Sequence, residues 1–239
     1  MAFILPIEEP WTSQPQVAVG IDWGNPITRG LVFAWSAGAT RYQAVPATPT
    51  QLASGVKPGV GGISPDFNGA SVATRYNVSM LGGNPDEATM FSWATTQQTA
   101  SEARMIGFWT NGATYPLFSI EQRPNPQGWT AQWRDNAAVV VNVSQNAALS
   151  VGDTKKICGV FRSGSGRKEL FIDGALAAFD TTTLGTFGTL NQSSIGCLDR
   201  GSPGQYWSGA IYCAFVWNRA LSASEVDQIS DNPWQIFAP

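Results

Sequence analysis

The chain of 239 residues has no histidine. That absence removes Ser-His and Cys-His nucleophilic catalysis, histidine-ligated zinc and histidine pH switching together. Charge is scarce too: 13% of residues are Asp, Glu, Lys or Arg, and the formal net charge is −3. With no basic cluster to neutralise phosphates, nucleic acid is not an expected partner. Cysteine is limited to Cys158, Cys197 and Cys213, each inside an apolar run; an odd number without paired spacing reads as buried free thiols. No apolar run reaches membrane-spanning length. The start MAFILPIEEPW lacks a basic leader and a cleavage site, so the expectation is a protein folded in a cytosol without membrane insertion.

What is abundant is turn and ring. Twelve Phe, 10 Trp and 5 Tyr are enough for a large core, and 25 Gly and 15 Pro fall between short apolar runs. That profile is all-β, and a sandwich of this length forms one domain. In residues 155–179 two apolar runs flank a Ser/Gly turn, and the second folds back at Asp173-Gly174, a dipeptide suited to a type I′ hairpin. That hairpin sets Ile172 opposite Ala175 and Leu170 opposite Ala177. Apolar groups on both sides of the ribbon place it inside a sheet, away from the rim.

Between Phe118 and Val143 three runs alternate strictly, Phe118 and Ile120, then Trp129, Ala131 and Trp133, then Val139, Val141 and Val143. A loop at Pro124 to Gln127 pairs Phe118 with Trp133 and Glu121 with Thr130; a loop at Asp135 to Ala137 pairs Trp133 with Val139 and Thr130 with Asn142. This register keeps every apolar residue on one side. The other side is a polar face, and Glu121, Thr130, Gln132, Arg134 and Asn142 are its candidate ligand-binding residues, with Trp109, Tyr115, Tyr206 and Trp207 as candidate rings for a sugar's apolar side. Further on, Ser222-Ala-Ser-Glu225 is a capping box that opens a short helix stopped by Asn232-Pro233. Asp66, Asp135 and Asp199 are loop carboxylates without a clustered cation-ligand pattern, and each reads as a turn cap; no metal and no cofactor is expected.

Residues 1–26 stand apart. Phe3, Ile4, Leu5, Ile7 and Trp11 are interrupted by Pro6, Pro10 and Pro15, so the segment can neither form a helix nor bury its own apolar side chains. It reads as an extended arm, ahead of a sandwich spanning 27–239, that either docks on a neighbouring subunit, with those five residues as candidate partner-binding positions, or packs back over its own sandwich.

The closing half carries a resemblance. Leu170, Asp173, Gly174, Ile195, Gly196, Gly209, Ile211, Asn218, Arg219, Ala220, Leu221, Ser222 and Glu225 follow the order and spacing of laminin-G-like domains in the concanavalin A-like lectin/glucanase superfamily. The resemblance implies a jelly-roll sandwich of two antiparallel sheets with one short C-terminal helix. Hydrolases of that superfamily carry catalytic carboxylates as E-x-D-x-x-E or E-x-D-x-E on one strand, and this chain has no such triplet, so no catalytic residue is assigned. Ile21-Asp22-Trp23-Gly24-Asn25-Pro26 and the ending Asn232 to Pro239 resemble small proteins of tailed bacteriophages. The role this implies is a virion surface component, a capsid decoration protein assembled in the host cytoplasm. Its arm would join a major capsid or tail protein or its own copies; the alternative is a tail adhesin for host carbohydrate.

Overall fold

The computed structural model describes residues 12–15, 19–37, 57–71, 73–76, 81, 85–110, 112, 117–162, 166–188, 190–199 and 202–238. Its strands in chain order are β1 (Leu31–Ser36), β2 (Lys57–Gly59), β3 (Gly62–Ser64), β4 (Phe67–Asn68), β5 (Thr74–Tyr76), β6 (Glu87–Thr96), β7 (Ala103–Trp109), β8 (Leu117–Arg123) and β9 (Gly128–Arg134). They continue with β10 (Val140–Ser144), β11 (Thr154–Arg162), β12 (Arg167–Ile172), β13 (Ala175–Asp180), β14 (Gln192–Ile195), β15 (Leu198–Asp199), β16 (Pro203–Gly204) and β17 (Ser208–Trp217). Helix α1 (Ala223–Asp231) follows.

Two antiparallel sheets make the sandwich. The first runs β1-β17-β6-β11-β12-β13, with β4 also on β17; the second runs β10-β9-β8-β7-β14-β5. Between them lie Phe33, Trp35, Met90, Phe118, Trp129, Trp133, Phe161 and Trp207. The first sheet is covered on its outer face as well, where Phe91, Cys158, Val160, Phe171, Phe215 and Trp217 meet Val226 and Ile229 of α1 and the tail residues Trp234, Ile236 and Phe237. This double burial explains the apolar residues on both sides of β11 and β12. The expected all-β jelly-roll architecture, with one short C-terminal helix, is the one observed.

The registers show which local signals decided the pairing. Phe118 faces Trp133 and Glu121 faces Thr130. In the next hairpin Trp133 faces Val141 and Thr130 faces Ser144, two residues beyond the expected pairing. The turn is longer because the Asp135 carboxylate accepts from Val139 N at 2.9 Å and Ala138 takes φ 67°. A slip of two keeps every side chain on its face, since the strand period is two. At Asp173 and Gly174 φ is 50° and 86°, as a type I′ turn needs. Ile172 does face Ala175, but a bulge then sets Leu170 opposite Ala178 instead of Ala177. The ribbon's place also differs from expectation: β13 ends the sheet, with Leu176 46% and Phe179 56% exposed. Apolar content alone does not distinguish a rim strand from an interior one.

Both partners of the capping box are present at α1. Glu225 also takes both Arg219 guanidinium nitrogens at 2.7 and 3.0 Å. That pairing, with the Ser222 bonds, holds its carboxyl down to about 2. The three cysteines are free and buried, and burial raises the Cys197 thiol to about 12.

The described part of the N-terminal segment lies on the body. Ile21 bridges to Phe237, Asp22 N donates to Ile236 O at 2.9 Å, and the buried Gln14 side chain exchanges hydrogen bonds with Ile63. Residues 12–15 and 19–26 therefore do not reach outward as an arm, although Trp23 is 60% exposed. Phe3, Ile4, Leu5, Ile7 and Trp11 lie outside the described residues.

Candidate functional site

The outer side of β7 to β10 is a closed ion-pair network. Glu121 is fully buried. Its Oε2 accepts from Ser119 Oγ at 2.9 Å and pairs with Arg104 Nη1, while Oε1 accepts from Arg123 Nε at 2.5 Å. Glu102 adds a second carboxylate 3.3 Å from Arg123. Thr130 is also fully buried, its hydroxyl 2.8 Å from that of Ser144. Gln132 donates to Asn142 Oδ1 at 2.7 Å.

The expected ligand face is thus corrected: Glu121, Thr130 and Gln132 are buried under their neighbours on the outer side of the sheet, and among the five candidates only Arg134, half-buried, and Asn142, exposed, reach solvent. Alternation fixed the side on which these residues project. It could not show that Arg104, from the neighbouring β7, folds over them. Two candidate rings are removed as well. Trp109 and Trp207 are buried, Tyr206 is half-buried, and Tyr115 lies outside the described residues. The aspartates differ in use: Asp135 caps its turn and also accepts from Gly185 N at 2.7 Å, whereas Asp199 pairs with Arg75 at 2.6 Å.

A cleft of about 620 Å³ opens instead at the ends of β6, β11 and β17. Its floor carries a line of hydroxyls across three strands: Thr154 Oγ1 lies 2.7 Å from Thr95 Oγ1, which lies 3.0 Å from Oη of Tyr212, itself buried behind them. Asp66, Asn68, Gln97 and Ser208 add polar groups to the walls, and Pro58, Val60, Pro65 and Phe67 add apolar ones. A hydroxyl both donates and accepts, so the line can reorient to match whichever group a ligand presents. The β2–β3 hairpin closes one side by lying flat on a ring. A Cβ on Gly59 would fall 2.4 Å from Tyr212 Oη, and one on Gly61 would fall 2.6 Å from the ring. Only residues without side chains allow that approach.

Sequence reading missed this cleft. Nothing in the sequence pattern assigned a role to Tyr212, Thr95 or Thr154. The available signal was Gly59-Val-Gly-Gly62 close before a strand, since backbone stripped of side chains marks a close approach.

Two stacked antiparallel sheets with a polar and apolar cleft at one rim define a lectin-like β-sandwich. The chain belongs to the Laminin_G_3 family of the concanavalin A-like lectin/glucanases superfamily, whose model matches residues 66–227. No curated protein matches it in sequence. Among solved structures it is similar to domain 4 of an extracellular arabinanase from Geobacillus stearothermophilus, solved in complex with arabinotriose. The TM-score is 0.66 at 14% identity, over 84% of this chain and 98% of that one. It is similar too to the binding domain of Paraclostridial mosquitocidal protein 1, with TM-score 0.68 at 11% identity, over 85% of this chain and about half, 52%, of that one. The heptameric SAP-like pentraxin of Limulus polyphemus gives TM-score 0.56 at 15% identity, over 69% of this chain and 80% of that one. At these identities the likeness is one of fold.

Proposed function

We propose that this protein is a non-catalytic carbohydrate-binding module that takes a saccharide into the cleft above Thr95, Thr154 and Tyr212. The observation that carries the reading is the hydroxyl line set between amide, carboxylate and apolar walls. A sugar ring offers paired donors and acceptors around its edge and C–H groups on its face, and these walls supply a counterpart to each. Asp66 is the one carboxylate lining the cleft among the described residues, whereas retaining and inverting glycosidases both work with two. That supports binding without turnover. The test is a glycan array followed by calorimetry on the strongest saccharide. Gln97→Ala and Thr154→Val each remove a group worth about 1 kcal/mol, so each is expected to weaken binding roughly 5-fold. Failure to bind any saccharide would overturn the reading. So would binding that both variants retain and that Asn142→Ala abolishes, because the ligand would then sit on the β8–β10 face.

The second reading keeps the module on a virion surface, as a capsid decoration protein or tail adhesin joined to the particle by residues 1–11. It is supported by the composition of that segment, where Phe3, Ile4, Leu5, Ile7 and Trp11 cannot bury one another. Deleting residues 1–11 is expected to leave the melting temperature within about 2 °C and abolish incorporation into particles. Normal incorporation by the deletion variant would discard this reading.

A further inference from the structure

We propose that Thr95 and Thr154, on the floor of the cleft, bind a pair of neighbouring hydroxyls on an uncharged sugar ring. The inference rests on the saccharide reading above and narrows it to an unsubstituted vicinal diol. Three hydroxyls on the floor bring three protons. Tyr212 is 1% exposed, and its Oη has a single hydrogen-bond partner among the described residues, Thr95 Oγ1 at 3.0 Å. The β2–β3 hairpin closes another side, where a Cβ on Gly59 would fall 2.4 Å from Oη. A buried phenol donates to the acceptor it has, so the first proton goes to Thr95. Thr95 Oγ1 and Thr154 Oγ1 are 2.7 Å apart, and the bond between them takes a second. Only the third is left. It reaches Gly152 O, 3.3 Å from Thr154 Oγ1, through a long and exposed bond that a ligand can replace. Each hydroxyl also has two lone pairs, and Tyr212 and the inter-threonine bond occupy two of the four on the threonines. Whichever way the line runs, it offers a ligand one proton and two lone pairs.

That remainder chooses among the groups a saccharide carries. Two neighbouring ring hydroxyls lie side by side, as the threonine oxygens do, and bring both acceptors and donors. One ligand oxygen takes the spare proton, and the two ligand O–H groups are free to donate to the lone pairs. A carboxylate or a sulfate ester brings acceptors only. One of its oxygens would take the proton and the next would face a lone pair, leaving acceptors unpaired once the half-buried threonines are covered. An ammonium brings protons only and leaves the third threonine proton on Gly152. A secondary amide carries one donor and one acceptor, but its trans geometry points them apart. The diol therefore matches the pair best. Cooperativity acts in the same direction, because the proton that Tyr212 gives Thr95 strengthens the one that Thr154 gives outward.

The test prints each saccharide of a glycan array in two forms, untreated and after periodate oxidation followed by borohydride reduction. Periodate breaks the carbon–carbon bond between neighbouring free hydroxyls, and reduction leaves both carbons as uncharged alcohols no longer held side by side. The wild type is expected to bind the untreated form at least about 10-fold more tightly, and a sulfate ester on either hydroxyl of the diol should cost about as much. In Thr154→Val the difference between the two forms should shrink to roughly 3-fold or less. Equal binding of both forms by the wild type overturns the proposal. So does a Thr154→Val protein that keeps the full difference, since the diol would then sit elsewhere in the cleft, and so does tighter binding of the sulfated form. Failure to bind any untreated saccharide is a separate result, which removes the saccharide reading and this proposal together.

Discussion

Glu121→Ala is expected to lower the unfolding free energy by about 3–5 kcal/mol, the loss typical of breaking a buried ion pair from one side. The carboxylate is fully buried and bridges Arg104, whose side chain is 3% exposed, to Arg123. Without it Arg104 keeps a charge that neither water nor Glu102, 3.8 Å away, compensates well. The pair itself need not stabilise the fold, because its gross attraction is offset by desolvation of both ions. A double variant, Arg104→Met with Glu121→Leu, is therefore expected to recover most of the loss. Urea unfolding of the two single variants and the double variant measures the coupling. A Glu121→Ala loss below about 1 kcal/mol would show that the network is solvated in solution, and would return this face to candidacy as a binding surface.

That network marks where sequence reading reaches its limit. Alternation in β8 and β9 is a property of consecutive residues, and it correctly set Phe118 against Trp133 and divided the strands into two sides. Whether a polar side meets water depends on the neighbouring strand and the loops above it. Arg104 is far from Glu121 in sequence and nothing between them announces the pairing. The Asp173-Gly174 turn and the Ser222–Glu225 cap were legible for the same reason, since each is settled within four residues. The bulge beyond Ile172 was not, because it reflects how β12 fits between β11 and β13. The cleft lies further from reach still. Thr95, Thr154 and Tyr212 belong to three strands and become neighbours only through the sheet order β11-β6-β17. Local rules thus recovered the elements and their sides, while the candidate site depended on pairings between distant stretches.

Trp133→Ala is expected to remove about 3–5 kcal/mol, through lost burial and the cavity left behind. The indole sits at full burial between the sheets and faces Phe118 and Val141 across its own sheet. Its partner in the first sheet is a glycine: a Cβ on Gly159 would meet Ala131 Cβ at 3.0 Å and Trp133 Cζ2 at 3.4 Å. Gly159 has no positive φ, so space rather than backbone conformation accounts for a glycine in the middle of β11. Ala131 and Gly159 should then be coupled. Gly159→Ala alone is expected to destabilise by about 1–3 kcal/mol, as overpacking does. In an Ala131→Gly background the methyl group 3.0 Å from the added one is gone, and Ala is the better strand former, so the same substitution should become neutral or stabilising. Denaturant unfolding of the wild type, both single variants and the double variant measures the interaction term. Strict additivity would mean that the sheets relax around Ala131 instead of meeting it as a rigid surface, and the glycine would need another explanation.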